Sequence, residues 1–99
     1  MYLVVVATHK AGREEERAGL QSAFTAYLRD AAGHPDVTLH HGGQTLDESG
    51  DTATGLLLVL EAPSLDAAQA FVAGSPYAKA GIIAETQIRP WNWLTGRPG

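Results

Sequence analysis

The sequence predicts an α+β domain whose elements follow the order β-α-β-β-α-β. Short apolar runs rich in valine and leucine indicate the strands, and apolar residues at helical spacing indicate the two helices between them. Glycine and proline mark the breaks between elements. This order is the split arrangement of ferredoxin-like folds, in which both helices cover one face of a four-stranded antiparallel sheet. We therefore predict a ferredoxin-like fold.

The first strand and the first helix come from the amino-terminal third of the chain. Residues 2–8 form a β-branched apolar run that is typical of a strand. Glutamates at positions 14–16 suit the first turn of a helix, because the helix dipole favours negative charge there. Gly33 and Pro35 end this helix. Its predicted apolar stripe consists of Leu20, Phe24, Tyr27, Leu28 and Ala31.

The remaining elements follow the same signals. Residues 37–46 alternate weakly and predict a second strand, and residues 55–61 predict a third strand that is nearly all apolar. Ser64 is the predicted cap of the second helix. Residues 82–89 predict a fourth strand, whose pairing we expect to stop at Pro90 because proline lacks an N–H donor.

This topology places the first and third strands at the centre of the sheet and the other two at its edges. The runs LVVVA and LLLVL agree, because strands covered on both faces are apolar at successive positions. Both helices lie on one face, and each apolar side chain is worth about 1.5–3 kcal/mol when buried. We therefore predict a homodimer that packs sheet against sheet through the open face, with a cleft or small barrel between the sheets. The central side chains that need cover include Leu3, Val5, Leu57 and Val59.

Composition narrows the classes of function. The 99 residues predict one domain over residues 1–93 and a flexible tail over residues 94–99. A formal charge of −4, with the cations scattered, argues against nucleic-acid binding. No cysteine is present, so a thiolate zinc site and a cysteine nucleophile are excluded. The amino terminus lacks a signal-peptide pattern, and its apolar run is too short to span a membrane. We predict a cytoplasmic protein with no membrane partner, metal or cofactor.

One cluster of polar residues is predicted at one end of the sheet. Because neighbouring strands run antiparallel, the end of the first strand at His9 lies beside the start of the fourth. A small polar or anionic molecule is the predicted ligand, with His9 as a candidate catalytic group. The alternative is a solvated loop with a surface histidine. The residues brought together are His9, Lys10, Arg13, Ser75, Tyr77 and Lys79.

Two adjacent histidines suggest a metal pair at first sight. His40 and His41 lie on a predicted strand, where successive side chains point to opposite faces, so one ion cannot readily take both. His9 lies two strands away, roughly 10 Å across the sheet. We keep His41 as a candidate acid or base in the cleft, with an exposed edge-strand histidine as the alternative.

The fourth strand offers a further candidate. Alternation places Ile83, Glu85, Gln87 and Arg89 on the face away from the helices. Arg89 is a candidate ligand-binding residue that would hold an anion, and the alternative is an edge strand that uses charge to avoid aggregation. Trp91 and Trp93 follow, and we favour packing over a role as a pocket lid.

Three stretches of the chain resemble one family. The pattern AYL, the run from Gly55 to Phe71 and the block SPYAKAG followed by IRPW are similar to the YciI-like (YCII-related domain) family. The resemblance implies a dimeric α+β barrel and small-molecule chemistry by a histidine on the first helix and an aspartate before a Pro-aromatic pair. Phe24 and Ser75 stand at those two positions here. The resemblance therefore implies the fold without the family's suspected catalytic pair.

Three functions remain open at this point. The first is a divergent homodimer that binds a small molecule without the suspected catalytic pair. The second is a cofactor-free lyase, isomerase or monooxygenase with relocated chemistry, using His9 or His41 with Arg89 or Glu85. The third is a protein-interaction module, which an exposed apolar patch outside the dimer contact would favour.

Overall fold

The computed structural model describes residues 1–30 and 33–98, so Ala31 of the predicted stripe lies outside the described residues. Each predicted strand and helix is present, and one short helix is added. Within the described residues the elements are β1 (Tyr2–His9), α1 (Glu14–Asp30), β2 (Thr38–Leu46), β3 (Ala53–Glu61), α2 (Leu65–Ala73), α3 (Pro76–Lys79) and β4 (Ile83–Pro90).

The sheet has the order β2-β3-β1-β4, and every neighbouring pair is antiparallel. This confirms the ferredoxin-like α+β fold and the central position of β1 and β3. Alternate residues of these strands, such as Leu3 and Leu60, are fully buried against Phe71 of α2, and Ala7 packs with Phe24 of α1. Leu3 and Val5 therefore lie beneath the helices and not on the open face, where the prediction had placed them. Both long helices therefore cover the same face of the sheet.

The added element is α3, a single helical turn between the second predicted helix and the fourth predicted strand. Ser75 caps it by accepting a hydrogen bond from the Ala78 N–H, and Pro76 occupies the first turn, where its missing N–H costs nothing. Gly81 follows with φ of 71°, a conformation that favours glycine. This turn delivers the chain to β4.

Two details of β4 differ from the prediction. Pro90 still pairs with Leu3, and the Trp91 N–H donates to the Tyr2 carbonyl at 3.1 Å, so pairing continues past the proline. Ile83 packs with the cluster beneath the helices and not on the opposite face. The reason is a register shift where β4 meets Thr8 and His9 of β1, which interrupts simple alternation.

The face of the sheet opposite the helices is the open face. Val6 and Leu57 form the cross-strand pair at its centre, and these two residues are 39% and 42% exposed. Trp93 covers one end of this face, where only 7% of it is exposed and its ring lies 5.3 Å from that of Tyr2. Trp93 therefore packs as predicted, while the centre of the open face stays uncovered.

None of the helices among residues 1–30 and 33–98 has the length and apolar character needed to cross a bilayer.

Candidate functional site

The end of β1 lies against the chain that follows α3, as the antiparallel order predicted. The Lys10 N–H donates to the Ile82 carbonyl at 2.7 Å. The Arg13 guanidinium donates to the carbonyls of Ala80 and Gly81 at 2.9 and 3.4 Å. Arg13 thus ties the start of α1 to the loop after α3 and fixes one wall of the site.

A cavity of about 200 Å³ opens beside His9, and we call it the cation cavity. Its lining contains three cationic side chains and one carboxylate, that of Glu14. Backbone N–H groups, including that of Gly12 at 3.2 Å, donate to this carboxylate and lower its pKa. The cavity is therefore positive and suits an anion. Its lining consists of His9, Lys10, Ala11, Arg13, Glu14, Arg17, Thr52, Ala53 and Thr54.

The His9 ring has unused hydrogen-bonding capacity. Both ring nitrogens are buried, and neither has a partner within the described part of the chain. Burial lowers the pKa of His9, and the positive charge of Arg17 lowers it further. The ring is therefore neutral near pH 7, so one nitrogen can accept a proton and the other can donate one. Unpaired buried polar atoms are rare in proteins and call for an explanation, and a bound ligand is one.

Tyr77 lies directly behind His9. Its ring stacks on Phe24 with 4.2 Å between centroids, and it meets the His9 ring edge-on at 5.5 Å. Only 1% of Tyr77 is exposed, and no hydrogen bond of good geometry reaches its hydroxyl from residues 1–30 and 33–98. Burial raises the pKa of Tyr77, while the charge of Arg17 and its approach to the hydroxyl oppose the rise, so the phenol keeps its proton and can donate it.

Arg17 was missed by the sequence reasoning. It lines the cation cavity, and its charge acts on both His9 and Tyr77. The sequence did carry a sign of this role, because Arg17 lies in the first turn of the predicted helix, four residues after Arg13, and residues at that spacing lie on the same side.

A second cavity, of about 300 Å³, lies between α1 and β2, and we call it the α1–β2 groove. Tyr77 lines it, and most of its other walls are aromatic, aliphatic or glycine. The lining consists of Gln21, Phe24, Thr25, Leu28, Gly42, Gly43, Gln44, Leu56 and Tyr77.

The other predicted ligand-binding residues lie away from these cavities. Ser75 is 3% exposed; its hydroxyl donates to the Val72 carbonyl at 2.7 Å while accepting from the Ala78 N–H, so the structure gives it the role of a buried cap. Lys79 is exposed in the turn of α3 and lies outside both linings. Arg89 pairs with Val4, five residues before His9 and so roughly 17 Å along β1.

The prediction that adjacent histidines point to opposite faces is wrong here. A register shift between Leu39 and His41 makes a bulge in β2, and the rings of His40 and His41 lie 5.6 and 5.9 Å from that of Trp93. His40 Nε2 lies 3.0 Å from a carboxylate oxygen of Glu61. Within the described ranges, no group of three His, Asp or Glu side chains is placed to hold a metal ion. His41 is exposed beside Trp93, far from the cation cavity.

The fold assigns the chain to a structural class. A four-stranded antiparallel sheet with helices on one face places the chain among ferredoxin-like α+β domains, and its structural neighbours belong to the dimeric α+β barrel class. The YCII-related domain matches residues 1–92. The chain therefore belongs to the YCII-related domain family, as its sequence resemblance implied.

Two solved structures illustrate the likeness. The first is 5-chloro-2-hydroxyhydroquinone dehydrochlorinase (TftG) from Burkholderia phenoliruptrix in complex with 2,5-dihydroxybenzoquinone, with a TM-score of 0.77 and 27% identity over 93% of this chain and 94% of that one. The second is SnoaB, a cofactor-independent oxygenase from Streptomyces nogalater, with a TM-score of 0.52 and 13% identity over 97% and 96%. SnoaB supports the fold alone. No curated protein matches the chain significantly.

Proposed function

We propose that the cation cavity binds a small, planar, acidic molecule, such as an ionised phenol, enol or hydroxyquinone, and that His9 moves a proton on it. The observation that carries the proposal is the His9 ring, whose two buried nitrogens have no partner in the described chain although it lines a cavity with Lys10, Arg13 and Arg17. A ligand oxygen or hydroxyl that reaches the ring would satisfy one of these nitrogens.

The charges around His9 support an anionic ligand. Arg17 is half-buried, and a guanidinium presents several donors in a fixed plane that matches the oxygens of an acidic ring. The same charge favours the neutral form of His9, as required of a base. Arg13 is engaged with two backbone carbonyls and Glu16, so Arg17 is the better candidate for direct contact.

The proposed chemistry is a proton shift. The ligand keeps one protonated ring hydroxyl beside its ionised oxygen. His9 takes the proton from that hydroxyl as the O–H bond breaks, and then delivers it to a ring carbon as a C–H bond forms. The product is the keto tautomer, with no change in oxidation state and no cofactor. TftG, which is named as a dehydrochlorinase of a hydroxyhydroquinone, supports a ligand of this class, because it covers nearly the whole chain at 27% identity.

This proposal moves the chemistry away from the positions that the family resemblance suggested. Phe24 has no ionisable group, and the Ser75 hydroxyl is occupied within the chain. His9 and Arg17 provide the acid-base group and the cation in their place. A binding protein without catalysis, the first hypothesis from the sequence, becomes one outcome of the test.

The test uses 2,5-dihydroxybenzoquinone as the probe. Calorimetry measures its affinity, and NMR in D₂O measures exchange of its ring C–H for deuterium, which reports the proton shift. We expect Arg17→Gln to weaken binding by about tenfold, the loss of one charge-assisted contact worth about 1.4 kcal/mol. We expect His9→Gln to bind but to lose catalysed exchange.

His41→Gln is the matched control, because His41 is exposed on the open face. It should leave affinity and exchange unchanged. Binding without exchange in the unmodified protein would reduce the proposal to a binding function. An unmodified protein that does not bind the probe would contradict it.

We also infer that a second copy of the chain covers the open face. Val6 and Leu57 form an exposed apolar pair at its centre, and Trp91 beyond them is 39% exposed. Covering such side chains is worth about 1.5–3 kcal/mol each. The dimeric class of the structural neighbours supports the same arrangement.

A further inference from the structure

We propose that the ligand of the cation cavity carries an apolar or aromatic substituent, and that this substituent lies in the α1–β2 groove. The substrate class is then a substituted acidic ring and not a bare one. This inference rests on the proposed function, because it takes the charged end of the ligand to be held beside His9.

The linings of the two cavities follow one another along α1 and along β3. Arg17 lines the cation cavity, and Gln21, one turn later on α1, lines the groove, a separation of roughly 6 Å along the helix axis. On β3, Thr54 borders the first cavity and Leu56 the second, roughly 7 Å apart. A two-ring molecule is long enough to reach from one to the other.

Tyr77 links the two cavities. Its ring meets His9 at 5.5 Å and also forms part of the groove wall, where it stacks on Phe24. Its buried hydroxyl has no partner in the described chain, so it can donate to a ligand oxygen that reaches it.

The size of the cavities favours a two-part ligand. Pockets for small molecules usually enclose about 300–1,000 Å³. The cation cavity, at about 200 Å³, is below this range, so a ligand of ordinary size extends beyond it, and the α1–β2 groove offers about 300 Å³ nearby.

The walls of the groove favour an apolar substituent. Phe24, Leu28, Leu56 and the ring of Tyr77 supply apolar surface. Gly42 keeps the floor open, because a Cβ there would already lie 3.2 Å from a methyl carbon of Leu58 and 3.5 Å from one of Leu28. A larger side chain at position 42 would fill this part of the groove.

The experiment compares two probes, 2,5-dihydroxybenzoquinone and its 3-phenyl derivative, by calorimetry. We expect the full chain to bind the phenyl derivative at least about tenfold more tightly, as burial of an aromatic ring allows. In Gly42→Leu this preference should fall to about parity, while affinity for the parent quinone changes by less than about twofold.

A second blocking variant guards against misfolding of the first. Gln44→Phe changes an exposed residue of the groove lining and should also remove the preference. Gln69→Phe is the matched control, because Gln69 is exposed and lines a different groove, between α2 and β4. It should keep the preference for the phenyl derivative.

The outcomes separate this inference from the proposed function. Equal affinity of the full chain for the two probes would overturn the inference and leave the proposed function standing. Failure to bind either probe would overturn both. A preference that survives in both Gly42→Leu and Gln44→Phe would place the substituent elsewhere and overturn the inference.

Discussion

Tyr77 stacks face to face on Phe24, with 4.2 Å between the ring centroids and 8° between the ring planes. Phe24 stands where the family resemblance implied a histidine. An imidazole that moves protons needs a polar partner or solvent, whereas this stack forms an apolar wall behind His9. The pair therefore serves packing and shapes the site, while the titratable group lies on β1.

Removal of the Tyr77 hydroxyl should weaken ligand binding without lowering the stability of the fold. Tyr77→Phe deletes a buried hydroxyl that has no partner in the described chain, so we expect the free energy of unfolding to stay equal or to rise by up to about 1 kcal/mol. Binding of the quinone probe should weaken at the same time. Urea unfolding and calorimetry measure the two effects.

Tyr27→Phe is the control for this variant. The Tyr27 hydroxyl donates to the Phe71 carbonyl at 2.7 Å, so its removal should lower the free energy of unfolding by about 1 kcal/mol. Equal destabilisation by the two variants would show that the Tyr77 hydroxyl has a partner after all.

The lowered pKa of His9 makes stability depend on pH. Above the ordinary value of 6.5 the ring is neutral in both the folded and unfolded states. As the pH falls below 6.5, the unfolded state takes up a proton first, so the folded state loses stability until the pH passes the lower folded pKa. The measurement is the free energy of unfolding of the native chain and of His9→Gln between pH 7.5 and 5. The two values should converge or cross as the pH falls. Parallel curves would argue against the lowered pKa.

Ser64 and Ser75 are the N-caps of α2 and α3, and comparing their alanine variants tests the role of Ser75 as a cap. Ser64 accepts from the Ala67 N–H at 3.1 Å on an exposed helix end, whereas Ser75 is buried and also donates to Val72. We expect Ser64→Ala to cost about 1 kcal/mol and Ser75→Ala about 2 kcal/mol. Ser75→Ala should leave quinone affinity within about twofold, and a larger loss would return Ser75 to the ligand site.

Gly55 is required by a close approach of two strands. A Cβ at this position would lie 1.9 Å from the Ala7 carbonyl oxygen, which is backbone and cannot move aside. We expect Gly55→Ala to destabilise the fold by about 3 kcal/mol or more. Gly19→Ala, in α1 with nothing within 4 Å, should instead stabilise it by about 0.5–1 kcal/mol. Thermal melts of both variants distinguish the two cases.

The open face should direct dimer formation. We expect a solution mass of twice the 10.5 kDa of one chain. Leu57→Glu should shift this mass towards that of a single chain, because a carboxylate in the apolar centre of the interface is costly to bury. Leu94→Glu, at an 82% exposed position near the chain end, should keep the larger mass. Light scattering coupled to size exclusion measures both, and an unmodified chain of single mass would contradict the inference.

Much of the fold could be predicted because its signals are local. Apolar runs, the glutamates of α1 and the Ser64 cap each act within a few residues, and the strand order follows from the element order. Two details that were missed, the bulge at His40 and the shifted register at His9, depend on contacts between strands and change which way a side chain points. The one-turn helix at Pro76 has local signals, the Ser75 cap and the proline, but is too short to show helical periodicity.

The sequence by itself determined the four strands and the two longer helices, their ferredoxin-like order and the family. It also determined that His9 lies beside the segment that follows α2. Only the tertiary structure decided the role of each polar residue near His9. It turned Ser75 into a buried cap, placed Arg89 at the far end of β1 and brought Arg17 to His9. The physical reason is that the use of a polar side chain depends on which partners and how much water reach it, and both are set by packing between distant segments.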